Sequence, residues 1–201
     1  MKNFEILTLI ISVLALAVSF VTAYRTWFPK FKGEVFIRPY VVLTRLRGSP
    51  SIVMGFEITN TGNRSGLLND LLLIMNYQQS NSRNKYSFFP VLIRQKYSVF
   101  ETYEESDFEP FQAISVSANE RLTRYIMFLP SQAGFSPAAG DIEVNVFVRK
   151  REGEFESAGK TRFTISSDEA TIWQNPDGES IMKETAENNR YRETLMDREF
   201  R

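Results

Sequence analysis

Two hydrophobic patterns divide the chain. From Ile6 to Tyr24 the run ILTLIISVLALAVSFVTAY carries no charge, and at about 1.5 Å per helical residue it nearly matches the ~30 Å hydrocarbon thickness of a bilayer. That run predicts a membrane-spanning helix, ended by Pro29. From Glu34 onward the period changes to two, the alternation of a strand with one buried face. The first strand is expected over Glu34 to Arg47, with Pro39 marking an edge or a bulge because proline has no amide proton for a ladder. Gly48-Ser49-Pro50-Ser51 turns the chain into Ile52 to Thr59, where Ile52, Met54, Phe56 and Ile58 share a face.

Further strands are expected at Leu67 to Tyr77, Tyr86 to Ile93, near Tyr97 to Tyr103, at Phe111 to Val116 and at Arg121 to Leu129. Ile142, Val144, Val146 and Val148 alternate most strictly and predict a hairpin with Thr161 to Ser166. With 17 Phe residues available, two facing antiparallel sheets filled by aromatic and β-branched side chains are the expected fold, a closed barrel being the alternative. After Ser166 the pattern changes again. Ser167-Asp168-Glu169 predicts the cap of a short helix toward Trp173, and Asn175-Pro176-Asp177-Gly178 breaks it. Glu179 to Arg201 is charged, with a sparse stripe at Ile181, Met182, Tyr191, Leu195 and Met196 that predicts a fraying surface helix. The expected division is an anchor over 1–28, a stalk over 29–33, a β-sandwich over 34–166 and a partly helical tail over 167–201.

The segment FEITNTGNRSGLLNDLLLIM resembles the Asn-x-Gly strand pair of immunoglobulin-like, CARDB-type adhesion or scaffold domains. Together with the apolar N-terminus and FKGEVFIRPYVVLT, it resembles a functionally uncharacterised group of small, single-pass prokaryotic membrane proteins. The resemblance implies an immunoglobulin-like sandwich. It carries no activity and no site residue with it.

Flanking charge orients the anchor. Arg25, Lys30 and Lys32 follow the run closely, whereas Lys2 is the only basic side chain before it, a bias that places the soluble domain in the cytoplasm. Arg25, Trp27, Phe28, Lys30 and Lys32 are the expected membrane-interface residues. Ala15, Ser19 and Ala23 recur every fourth residue and offer a small-residue face for packing two helices together. The competing reading is a signal peptide, for which Val21-Thr22-Ala23 has the small residues of a cleavage site.

Composition narrows the chemistry. Lys and Arg number 24 and so do Asp and Glu, so no overall field draws nucleic acid. The chain has no Cys and no His, which excludes disulfides, thiolate or Ser-His-Asp nucleophiles and the usual zinc sites. Glu101, Glu104, Glu105, Asp107 and Glu109 cluster without the spacing of a calcium loop, so a solvated acidic loop and no metal are expected. Glycoside hydrolysis needs only two carboxylates at a fixed separation. With 24 acidic residues some pair will always lie at a suitable distance, so the requirement singles out none of them, and the chain is expected to be no enzyme and to use no cofactor.

The functional expectation is a membrane-anchored binding or scaffold module that contacts another protein near the bilayer. Its contact surface is expected at the Pro39 strand edge or around Tyr86 to Phe100. A ligand-sensing effector that multimerises through its transmembrane helix is the alternative. Arg149 to Arg151, at a hairpin tip, would meet lipid only if the fold carries that tip to the bilayer, and Asn63-Arg64-Ser65 matches a glycosylation acceptor that is idle in a cytoplasmic domain.

Overall fold

The computed structural model describes residues 2–27, 30–79, 82–95, 108–132, 134–150 and 153–185. Helix α1 spans Lys2–Trp27. Its run Ile6–Tyr24 has a mean hydropathy of 2.6, is unburied by the rest of the chain, and is long and apolar enough to cross a membrane. The hydroxyls of Thr8, Ser12 and Thr22 donate back to the carbonyls of Phe4, Thr8 and Val18 at 2.8–2.9 Å. Each hydroxyl thereby has a partner that an apolar solvent would not supply.

The strands are β1 (Gly33–Leu46), β2 (Ser49–Asn60), β3 (Gly66–Gln79), β4 (Ser82–Arg94), β5 (Glu109–Pro110), β6 (Ile114–Val116), β7 (Arg121–Pro130), β8 (Gly140–Lys150), β9 (Phe155–Ile165) and β10 (Ile181–Glu184), with helix α2 (Ser167–Gln174) between the last two. All pair antiparallel. Their order is β10-β1-β2-β7-β4-β3-β8-β9, with β5 added to β4 and β6 to β3. They form one hydrogen-bonded sheet curled into a half-barrel. The mainly antiparallel character expected from the alternation is therefore present, whereas the strands do not separate into two sheets. The curl carries β9 to β1, where a Cβ on Gly159 would lie 3.5 Å from Ile37 Cδ1.

The inner face is one apolar core in which Ile52, Met54, Phe56 and Ile58 are fully buried, as their alternation predicts. Strand β2 is buried on its other face as well. There Val53 packs with Val42, Leu46, Phe108 and Met127 in a second apolar cluster, and Glu57 is buried while its carboxylate takes Arg121 Nη2 at 2.6 Å. The β1 register shifts between Ile37 and Val41, a bulge at Pro39.

Two expectations for the C-terminal region change. Ile181–Glu184, expected in a surface helix, instead pair with Tyr40–Leu43 as β10, so the sheet runs past residue 166 and covers β1 at its edge. Of the apolar stripe, Ile181 packs against the core and its neighbour Met182 is exposed on the opposite face. The expected short helix is present as α2, but its cap is Ser166, one residue before the expected Ser167-Asp168-Glu169: Ser166 Oγ accepts from Glu169 N and Glu169 Oε2 from Ser166 N, a reciprocal cap. Trp173 then enters the core completely, its indole N–H reaching Thr44 O at 2.8 Å and Ser51 O at 3.2 Å. Tyr191, Leu195 and Met196 lie outside the described residues.

Candidate functional site

Register places the strand ends Gly33, Asn60, Gly66, Val116, Arg121 and Lys150 at one end of the half-barrel, through the pairs Gly33↔Asn60, Thr59↔Arg121, Gly66↔Val116 and Leu68↔Lys150. The chain coming from α1 enters at this end. At most three peptide units, about 11 Å, separate the Cα atoms of Trp27 and Lys30.

The entering segment is held by the loop after β2. Lys30 N donates to Asn63 Oδ1 at 3.0 Å, Lys32 N donates to Asn60 Oδ1 at 3.3 Å, and Thr61 N donates to Lys32 O at 3.1 Å. Asn60 is fully buried. Its Oδ1 also accepts Gly62 N at 2.9 Å, and its Nδ2 donates to the carbonyls of Arg64 and Ser117, both at 2.8 Å, with Val116 O at 3.4 Å. One side-chain amide thus joins the entering segment, its own loop and the turn after β6, leaving neither of its polar atoms unpaired.

Glycine is required at two points of this collar. A Cβ on Gly62 would lie 2.0 Å from Lys30 O, a backbone atom, and one on Gly66 would lie 2.2 Å from the Phe31 ring. The loop fits against the incoming chain only without those side chains. Across the end, Asn119 adopts a left-handed φ of 57° and donates its amide to Gly62 O at 3.3 Å. Glu120 accepts from Ser117 N, a bond that holds its carboxylate below the ordinary range.

Of the expected interface residues, Lys30 and Lys32 lie in the collar, and their backbone is what the domain grips. Arg25 and Trp27 end α1, while Phe28 lies outside the described residues. Ala15, Ser19 and Ala23 are exposed on α1. The Pro39 edge expected to receive a partner is occupied: Pro39 O accepts Thr185 N at 2.9 Å and β10 follows alongside. In the aromatic segment Phe88 is core and Phe89 is exposed, whereas residues 96–100 lie outside the described residues. Strand β8 reaches the collar end at Lys150. Arg149 is paired with Asp70 and Lys150 with Glu156, both at 3.0 Å, and the Arg149 guanidinium lies 5.3 Å from the Phe155 ring centroid, while Arg151 lies outside the described residues. Of the acidic stretch, only Glu109 is among the described residues.

A second feature is a fork in the sheet. Strand β4 follows β3 from Ser82 to Phe88, then continues along β7 to Arg94, while the start of β3 pairs with β6. Strands β5 and β6 enter the gap and leave an open cleft of about 490 Å³. Its polar lining is Arg94, Gln95, Glu109, Gln112, Ser115 and Arg124, over Ile93, Ala113 and Ile114. Arg124 is opposite Phe56 and lies between Leu122 and Ile126 in the inward-facing row of β7. The pattern of Arg121 to Leu129 predicts a strand, and only this break in its apolar row signals the cleft.

No protein-family model matches the chain, and no curated protein matches it in sequence. Among solved structures, it is similar to a family 123 glycoside hydrolase from Clostridium perfringens that acts on glycolipid glycans, at 11% identity and a TM-score of 0.31, over 69% of this chain and 28% of that one. It is also similar to β-glucosidase 3B from Thermotoga neapolitana, at 14% identity and a TM-score of 0.27, over 78% of this chain and 17% of that one. The chain thus spans less than a third of either enzyme. The expectation of a non-enzyme is corrected here, because both of these neighbours are glycoside hydrolases. Likeness at this level assigns neither an activity nor catalytic residues.

Proposed function

We propose that the chain is a single-pass membrane protein whose β-domain is held beside the bilayer, facing the cytoplasm, and binds another protein there. The observation that carries this reading is the collar. The backbone is bonded to Asn63 three residues past the end of α1, at Lys30, and to Asn60 five residues past it, at Lys32. Tethering raises the local concentration of a module near its partner, and a fixed exit also sets which surface it presents. The bias of Arg25, Lys30 and Lys32 supports the cytoplasmic side. Ala15, Ser19 and Ala23 supply a face on which two anchors would pack.

The test uses the full chain with a proximity-labelling enzyme at its C-terminus, compared with α1 fused to an unrelated β-domain. The expected result is retention in alkali-washed membranes and labelled neighbours that the control lacks. Recovery as a soluble species beginning near Tyr24 contradicts anchoring, and neighbours identical to the control contradict partner binding by the domain.

A further inference from the structure

We propose that the fork between β4 and β6 is a binding site for a small molecule carrying a phosphate or carboxylate group. The volume, about 490 Å³, is within the roughly 300–1,000 Å³ range of small-molecule sites. An arginine in an apolar inward row loses hydration without gaining an apolar contact for its head, so the substitution of polar for apolar at Arg124 runs against the packing of β7. The fork gives that guanidinium an outlet. Its Nη1 donates to Thr123 O at 2.9 Å, which uses one of the five N–H groups.

Arg94 brings a second guanidinium to the same cleft, lying 5.9 Å from the Phe108 ring centroid. Opposing charge comes from Glu109, which is exposed at β5, and from Glu120, whose carboxylate already accepts the Ser117 amide and acts on Arg124. The described lining holds two planar guanidinium groups, which match the paired oxygens of phosphate and carboxylate. Gln112 and Ser115 add neutral hydrogen-bonding groups for the rest of such a molecule. This site is independent of the anchoring proposed above.

The test is isothermal titration of the full chain in nanodiscs with inorganic phosphate, adenosine 5′-monophosphate, glucose 6-phosphate and succinate, with glucose as the neutral control. At least one anion is expected to bind saturably below about 10 mM, a range that covers a millimolar Kd. Arg124→Gln is expected to weaken that binding about tenfold or more, the equivalent of one lost charge-assisted bond. The phosphate and succinate arms distinguish the two anion chemistries. Absence of binding by every anion, or equal binding of glucose, overturns the inference. If Arg124→Gln fails to fold, Gln112→Ala with Ser115→Ala serves instead, both side chains being exposed; unchanged affinity in that variant overturns it too. Membrane flotation in the same preparations reports anchoring separately.

Discussion

The two ends of the half-barrel are closed by different physics. At the end away from α1, Phe135 meets Tyr77, Tyr86, Phe88 and Trp173 at centroid distances of 6.1, 4.9, 5.1 and 5.7 Å, an aromatic plug pinned by α2. At the end facing α1, a single buried amide and two close-approach glycines do the closing, and an open polar cleft lies beside them. The plug stabilises by area and tolerates small shifts. The collar depends on hydrogen bonds whose loss leaves buried groups unpaired, so it fixes geometry more sharply than it adds stability. On the proposed reading, a domain that presents a surface near a bilayer needs that geometry at the near end.

Breaking the plug has the largest expected effect. Trp173→Ala removes a fully buried indole and takes its N–H donor away from the carbonyls of Thr44 and Ser51, and a loss of about 3–5 kcal/mol in denaturant melts of the full chain is expected, with the collar amides still protected at low denaturant. Collapse of collar protection together with the plug, before global unfolding, would show that the two ends are not separable.

Asn60→Ala comes next. It strands the amides of Lys32 and Gly62 and the carbonyls of Arg64 and Ser117, so a loss of about 2–4 kcal/mol is expected in the same melts. Asn60→Asp keeps the acceptor and sets a carboxylate against two carbonyls, and should be no better. A variant as stable as the parent would remove Asn60 from the account.

Gly66→Ala drives a methyl into the Phe31 ring and is expected to cost about 1–3 kcal/mol. Phe31→Ala in the same chain should recover part of that loss, a coupling read by a double-mutant cycle. Additive effects would deny that Phe31 packs there.

The smallest effect is at α2 and is read by pH. Glu169, on α2, accepts from Lys183 Nζ at 2.8 and 3.0 Å, and its carboxyl is held below the ordinary range first by that ammonium and then by the Ser166 amide. A depressed carboxylate contributes stability above its unfolded pKa of about 4.3 and loses it as the pH falls through the folded value. Titration below about pH 4 is therefore expected to loosen α2, with a fall in stability that Glu169→Gln abolishes. An identical acid profile in that variant would refute the assignment.

The strands were legible because side chains alternate: Ile142, Val144, Val146 and Val148 are buried as β8 requires. The apolar run of α1 and the short helix α2, though with its cap one residue earlier at Ser166, were legible for equally local reasons. What escaped reading is long-range. Asn60 in a turn-rich segment predicts a turn, and nothing nearby tells that its amide bonds residues 28 positions earlier and 57 later. Ile181 and Met182 fit a helix or a strand, and only the uncovered edge of β1 decides between them. The continuity of the sheet, which distinguishes a half-barrel from two separate sheets, likewise depends on how β4 leaves β3 for β7.

Amide hydrogen exchange at Lys30, Lys32 and Gly62, measured on the full chain in nanodiscs, tests the collar most directly. All three amides are expected to be protected in the parent, with those of Lys32 and Gly62 exchanging orders of magnitude faster in Asn60→Ala. Exchange at the rate of an unstructured linker in the parent would contradict the collar, and with it a domain held in a fixed direction beside the membrane.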